Sequence, residues 1–411
     1  MRKLATIRRI DKLTPIPNAD AIVCAEIGGW KAVVKCHQFQ EKQLIIYAEI
    51  DSWIPIHLAP YLRKKDEAKY FNGVDGERIQ SMKLRGQLSQ GLVLDIRDEL
   101  IFKCLTESGL VNDHTNLEDL INLDVSEALG IQKWEPPTYI STTTTTATQS
   151  VEQMRPFPSL IPKTDQERIQ NLVEEFALWS TPGSEQCFSW EVTEKLDGSS
   201  MTIFVNGDDD GVCSRNFQLV PWPAKDPLID DSSSLKDDST SSDPPVVTAE
   251  TKTSSVKKKK GVEKKKKGPE KSSMYWEVFQ RDNFHGKLRQ LGRNLALQGE
   301  LVGPGIQLGT YKLARKEFFC FDIFDMDRRE YLTPCERRLL CSQLAIPHVP
   351  VLHEDRVFGP SDSVGSLLEE ADGHSVLNTD AVREGFVCKA NRDERTSFKC
   401  ISNEFLLKKR Q

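Results

Sequence analysis

The chain has 411 residues, 38% of them hydrophobic and 28% charged, with a net charge of −6. That length gives room for two domains with their own cores, and the charge excludes a protein that holds nucleic acid through its overall field; any such binding must come from local basic patches. No secretory leader or membrane-length apolar run is visible, and ten cysteines without a paired Cys-x-x-Cys spacing read as reduced, structural thiols, so a soluble, intracellular protein of cytoplasm or nucleus is expected.

Residues 1–130 read as a β-rich unit. Ile22–Ile27 and Trp30–Val34 flank Gly28-Gly29, the composition of a two-residue hairpin turn. Leu44–Ile50 and Gly91–Ile96 supply two more strand-like runs, and short strands with glycine turns at this length suit a small OB-like barrel. Arg78–Gly86 is a basic stretch of the kind that lines nucleic-acid grooves in such barrels. Lys83 and Arg85 are therefore candidate RNA contacts, with solvated charges on a barrel edge as the alternative.

Residues 131–160 include Pro136-Pro137 and a threonine run, the composition of an extended linker. The remaining unit, 161–411, opens with Thr164 followed three residues on by Glu167, which predicts a helix start in an amphipathic segment carrying Lys163 and Arg168. Phe188, Trp190 and Val192 then alternate with Ser189, Glu191 and Thr193, and Met201, Ile203 and Val205 alternate after a tight turn, as two half-buried strands would. Ser214-Arg215-Asn216 follows an acidic, glycine-containing loop, a placement that returns Arg215 toward the same pocket. Residues 221–273 interrupt this pattern with an acidic, serine-rich half and two lysine clusters, Lys257–Lys260 and Lys264–Lys267. Few apolar residues are available there to offset ordering entropy, so disorder is expected, at a closure cost on the order of 2 kcal/mol. The clusters are candidates for an import signal or a salt-sensitive RNA tether, with a solvated loop as the alternative.

Between the two alternating strands stands Glu194-Lys195-Leu196-Asp197-Gly198-Ser199-Ser200. A neutral lysine near pH 7 costs roughly 4 to 5 kcal/mol against its ordinary pKa of about 10.4. Burial, cationic neighbours and a bound metal all disfavour the ammonium and activate the amine for attack, while Gly198 lets the backbone approach a ligand. Four further motifs follow. Gln298–Gln307 puts Glu300 in a glycine-rich turn, and Phe318–Phe324 reads as a buried strand with an aromatic face. Glu384–Lys389 sets a second carboxylate at a strand start, and Ser397–Ser402 brings a late cation, Lys399.

This ordered series resembles the covalent nucleotidyltransferase superfamily of ATP-dependent ligases and capping enzymes, and most closely the RNA ligases that carry an N-terminal OB domain. The resemblance implies an α+β protein, an OB-like barrel plus a mixed-sheet nucleotidyltransferase domain. It also implies that Lys195 attacks the α-phosphate of ATP, that AMP passes to an RNA 5′-phosphate, and that a 3′-hydroxyl then displaces it. Glu300 and Glu384 are implied on the metal side, holding Mg2+ or Mn2+ or its water shell. Asp197 is implied near ribose or metal, Arg215 and Lys399 near phosphate oxygens, and Phe321 on adenine, with Phe319 on the same strand face as the alternative. Glu194, Gly198 and Lys389 complete the implied nucleotide-binding set.

One departure from the pattern is Ile401, where ligases of this superfamily often place a second lysine; Lys389 and Lys408 are candidate substitutes. The expected partner is RNA, a nicked duplex with tolerance for an RNA/DNA hybrid, and no membrane; a monomer is expected. Capping guanylyltransferases and DNA ligases share the lysine and carboxylates but usually place the OB domain after the last motif. A non-catalytic RNA-binding protein predicts drift at Lys195, Asp197, Glu300 or Glu384, and all four stand.

Overall fold

The computed structural model describes residues 3–63, 67–112, 114–135, 154–220, 273–307, 309–392 and 394–408. The threonine run, the lysine clusters and nearly all of the 221–273 insertion lie outside the described residues.

The N-terminal unit contains β1 (Ala5–Arg9), β2 (Lys12–Ile16), β3 (Ala19–Ile27), β4 (Trp30–Lys35), β5 (Leu44–Glu49), β6 (Ser52–Pro55), β7 (Tyr70–Phe71), β8 (Val74–Arg78), β9 (Met82–Leu84), β10 (Gln87–Ser89), β11 (Gly91–Leu94), α1 (Glu99–Glu107) and β12 (Gln132–Lys133). β5 sits between β1 and β11 and is buried on both sides. Period-two alternation sends Ile46 and Ala48 into one core with Ile7 and Leu105, and Ile45 and Tyr47 into a second with Trp30 and Val34. Gly28-Gly29 makes the expected turn between β3 and β4. Gln90 N–H donates to the Lys31 carbonyl at 2.7 Å and Val33 N–H to Ser89 Oγ at 3.0 Å, closing the barrel between β4 and the β10–β11 segment. The expected linker does not begin at 131: Ile131 is buried, and β12 pairs with β6.

The C-terminal unit contains β13 (Met154–Pro156), β14 (Glu167–Arg168), α2 (Val173–Trp179), β15 (Ser189–Glu194), β16 (Ser199–Asn206), β17 (Asp209–Cys213), β18 (Phe217–Leu219), α3 (Met274–Arg281), α4 (Phe284–Arg289), β19 (Leu295–Val302), β20 (Glu317–Asp325), β21 (Glu330–Tyr331), α5 (Pro334–Gln343), β22 (Val351–Val357), α6 (Val364–Ala371), β23 (Gly385–Ala390), β24 (Ser397–Ile401) and α7 (Asn403–Lys408). Two sheets result, a seven-stranded one in the order β13-β18-β17-β16-β19-β20-β21 and a five-stranded one in the order β14-β24-β23-β15-β22. Every pair is antiparallel except β14 with β24. The expected helix at Thr164 is absent. Glu167 and Arg168 instead pair beside Phe398 and Lys399, and the helix starts at Val173.

β15 and β16 are not half-buried: they belong to different sheets, and both faces of each are covered. Met201, Ile203 and Val205 enter the core under α3 and α4, while Phe204 packs on the other side with Ile161 and Phe324. Glu191, expected on a solvent face, is fully buried. It is held there by Arg337 and Arg338 of α5, a helix set by the Thr333–Glu336 capping box with Pro334 in its first turn.

Candidate active site

Lys195 stands on the crossover between the two sheets, three residues long from Lys195 to Asp197 with Gly198 closing it onto β16. Each sheet contributes one acid. Lys195 Nζ donates to Glu384 Oε2 at 2.8 Å, and Glu384 immediately precedes β23 of the five-stranded sheet. Glu300, on β19 of the seven-stranded sheet, accepts the Gly198 N–H at 3.0 Å through Oε1. Gly385, with φ of +142°, has no space for a Cβ, which would run into the Cys400 carbonyl; this lets β23 start tightly against β24 and leaves the Gly385 carbonyl to accept the Lys195 N–H at 3.0 Å.

The electrostatics correct one expectation. Burial pushes the Lys195 amine toward neutrality, but Glu384 and Glu300 outweigh it, and the net shift is upward. The resting lysine is an ammonium in an ion pair. Glu300 takes the strain of this crowding: burial, with Glu384 adding, pushes its carboxyl up to about 7 against the opposing pull of Lys195.

A pocket of about 140 Å³ opens beside the lysine. Glu194, Lys195, Arg215, Glu300, Phe321 and Lys399 all line it, as does Lys389. Phe319 does not; it packs with Leu196, Val302 and Tyr311 in the small core beneath. Of the two rings, Phe321 is thus the one available for a base to stack on. Ile401 is buried core, and the Lys408 amine is ion-paired with Glu404 at 2.8 Å.

Several expected residues are held by protein partners or lie elsewhere. Gly198 accommodates protein rather than ligand: a Cβ there would lie 2.6 Å from Val302 Cγ1 and against the Leu301 carbonyl, so it lets β16 meet β19. Lys389 is no free phosphate hook. Its amine donates to Asp322 Oδ1 at 2.8 Å and to the Phe321 carbonyl, and burial lowers its pKa to about 8 despite Asp322. Arg215 is ion-paired with Asp165 at 2.7 Å. Glu194 is buried, with Oε2 accepting the Val376 N–H at 2.8 Å. Lys83 and Arg85 lie on the exposed β9–β10 hairpin and line neither this pocket nor the larger cleft beside it.

Sequence reasoning missed Tyr311, whose Oη accepts the Asp197 N–H at 2.6 Å, and Gln307, whose Nε2 donates to the Gly198 carbonyl at 2.9 Å. Together they pin the crossover. It also missed Asp322, which receives Lys389 and Arg395 at 2.8 Å each and ties the two sheets together under the pocket. These three carboxylates, Asp197, Glu300 and Glu384, are hard oxygen donors of the kind that suit magnesium or manganese. Among the described residues, no group of three or more His, Cys, Asp or Glu side chains is placed to ligate an ion directly.

A lysine on a crossover between two packed sheets, with one acid from each and a pocket containing an aromatic ring beside it, defines a nucleotidyltransferase. The RNA ligase family model matches residues 188–401, and an OB-fold domain family matches residues 4–96. The chain belongs to the RNA ligase family. Solved structures of Naegleria gruberi RNA ligase are similar over the whole chain. The form with pyrophosphate is 34% identical with a TM-score of 0.67, and 99% of each chain is covered. A variant of it with ATP and manganese is 34% identical with a TM-score of 0.68 and the same coverage, and another with AMP and manganese is 35% identical with a TM-score of 0.68. A search of curated proteins gave no match.

Proposed function

We propose that this chain is an ATP-dependent RNA ligase that seals a 3′-hydroxyl to a 5′-phosphate at nicks in duplex RNA through a lysyl-AMP intermediate. The observation that carries the reading is the Lys195 amine at 2.8 Å from Glu384 and within the field of Glu300. Adenine stacks on Phe321, and the α-phosphate lies over the Lys195 amine. The resting ammonium must pass its proton to water and leave its Glu384 partner before attack. Glu300, Glu384 and Asp197 would hold a divalent cation through its waters, and that cation would supply neutralisation of phosphate charge. Lys195 Nζ then forms a bond to the α-phosphorus as the bond to pyrophosphate breaks in line. Arg215 and Lys399, at the pocket mouth, balance phosphate charge in this step and in the two transfers that follow. AMP passes to the RNA 5′-phosphate, and the 3′-hydroxyl displaces it.

Incubation with α-labelled ATP, GTP or NAD and magnesium, with Lys195→Ala beside wild type, tests the first step. Label is expected on the protein from ATP alone and is lost in the variant. Nicked duplexes of all-RNA, all-DNA and mixed strands then test the substrate. Uptake from GTP would instead identify a capping enzyme, and sealing confined to all-DNA nicks a DNA ligase. No uptake from any of the three nucleotides would end the catalytic reading.

A further inference from the structure

Beside the nucleotide pocket lies a second, larger cleft between the N-terminal barrel and the catalytic domain. Its volume is about 1280 Å³, above the roughly 300 to 1,000 Å³ of a small-molecule pocket. The two spaces adjoin, with Asp165, Gln166, Arg215 and Lys399 lining both. Whatever fills the cleft therefore touches residues that also line the nucleotide pocket.

The walls of this cleft differ in charge. The catalytic domain presents Arg168, Arg215 and Lys399, with Asp165 and Glu167 among them. The barrel side presents Asp51, Asp124 and Glu127, and one cation, Lys133. A polyanion is repelled by most of the barrel wall and held against the catalytic wall, so Lys133 is the point at which the barrel unit can grip it. Lys133 ends β12, which is fixed by pairing Lys133 with Ser52 of β6. Its field reaches the far side. Burial pushes the Asp165 carboxyl up, but Arg215, Lys399 and Lys133 together outweigh it and bring it down. The resting charges are paired off, Arg215 with Asp165 at 2.7 Å and Lys133 with Glu135 at 3.1 Å, all four at least 44% exposed and able to exchange partners.

We propose that Lys133 is the barrel unit's contact to the phosphodiester backbone of the RNA being sealed, completing with Arg215 and Lys399 a three-cation cradle that spans both domains at the mouth of the nucleotide pocket. The inference rests on the RNA-ligase reading above and adds to it a residue outside the matched motifs. It assigns the barrel a direct part in the two RNA-dependent transfers and none in lysine adenylylation.

The test compares full-length wild type with Lys133→Ala, Lys133→Arg and Glu135→Gln in binding and single-turnover sealing of a nicked RNA duplex, and in label uptake from α-labelled ATP. Lys133→Ala is expected to weaken RNA binding about tenfold and to lower the slope of log affinity against log salt by about 0.7 to 0.9, one lost phosphate contact. Label uptake is expected to match wild type. Lys133→Arg restores RNA binding, and Glu135→Gln, which frees the amine, tightens it. Unchanged RNA affinity and salt slope in Lys133→Ala overturn the inference while leaving the ligase reading intact if wild type seals. Reduced label uptake with unchanged RNA binding also overturns it and gives Lys133 to the triphosphate tail. Absence of sealing by wild type strikes the ligase reading itself.

Discussion

Asn in place of Asp322 tests whether the buried ion network holds the two sheets of the catalytic domain together. The Asp322 side chain is 1% exposed and receives Lys389 and Arg395 at 2.8 Å and Arg337 at 3.6 Å; burial opposes its ionisation, but these cations hold its carboxyl well below the usual carboxylate range. Arg337 keeps Glu191 as a partner, and Arg395, 31% exposed, keeps its stacking on Tyr331. The stranded charge is Lys389, 7% exposed. Breaking a buried pair on one side costs about 3 to 5 kcal/mol. The escape route costs a similar amount, since neutralising an amine of ordinary pKa 10.5 at pH 7 takes about 5 kcal/mol. Urea unfolding should therefore show Asp322→Asn destabilised by about 3 to 5 kcal/mol at pH 7. The pH dependence has a definite sign. Lys389 in the wild type has its pKa lowered to about 8, so its folded state is mostly charged at pH 7 and half deprotonated at pH 8. In the variant it is neutral already at pH 7, where the unfolded chain still binds the proton, so the variant gains stability with rising pH before the wild type does. The gap should narrow by about 1 kcal/mol between pH 7 and pH 8, the variant gaining about 1.4 and the wild type about 0.4. A loss below about 1 kcal/mol, the range of an exposed pair, or a gap that widens with pH, refutes the account of a buried, charge-locked seam.

Glu384→Gln removes the carboxylate that does most to hold Lys195 charged, so acylation of that amine, followed by peptide mapping across pH, should set in at lower pH than in wild type. Gly198→Ala places a methyl against Leu301 and Val302 and is expected to cost about 1 to 3 kcal/mol in unfolding and to slow label uptake from ATP, the latter measured per folded protein. Tyr311→Phe leaves the buried Asp197 N–H without its acceptor; about 1 to 3 kcal/mol of stability should go, and label uptake should fall more than in a stability-matched variant elsewhere. His348, which accepts from Arg337 Nε at 3.0 Å, is pushed by burial and then by Arg337 from 6.5 to about 4. The folded state therefore requires the neutral ring, and stability should drop as pH falls from 6.5 toward 4, by up to about 3 kcal/mol; His348→Gln should flatten that acid limb in urea titrations at pH 7 and pH 5.

The residues legible in the sequence are those whose meaning is local. Lys195 between two apolar alternations, Glu300 in its glycine-rich stretch and Glu384 before β23 each announce a chemical group on a short, backbone-defined device. The Gly28-Gly29 turn and the core strands of the barrel were legible for the same reason, because period and turn chemistry act over a few residues. What escaped depends on partners far along the chain. The Thr164–Glu167 pattern is a sound helix start in isolation, but Phe398 and Lys399 offer the backbone of Glu167 and Arg168 a strand partner instead. Glu191 read as a solvent-facing residue because nothing near it supplies a counter-charge; Arg337 arrives from 146 positions away. Gly198 was assigned to a ligand because the second strand that crowds it, β19, cannot be seen from its own turn. Tyr311 carries no local mark at all, since its role is one hydroxyl set against one amide of another loop.

The crossover that carries Lys195 also fixes when, during synthesis, the enzyme becomes chemically competent. The nucleophile and its acid partner are 189 positions apart, and the sheet that supplies Glu384 is completed only by the strand ending at Ile401. A nascent chain on the ribosome can close its barrel and pair β16 with β19 and β20 long before that, because those strands are made first. The amine is therefore made well before its setting, and the ligase acquires its nucleophile's electrostatic partners only once Glu384, 189 positions later, and the strand ending at Ile401 have been translated.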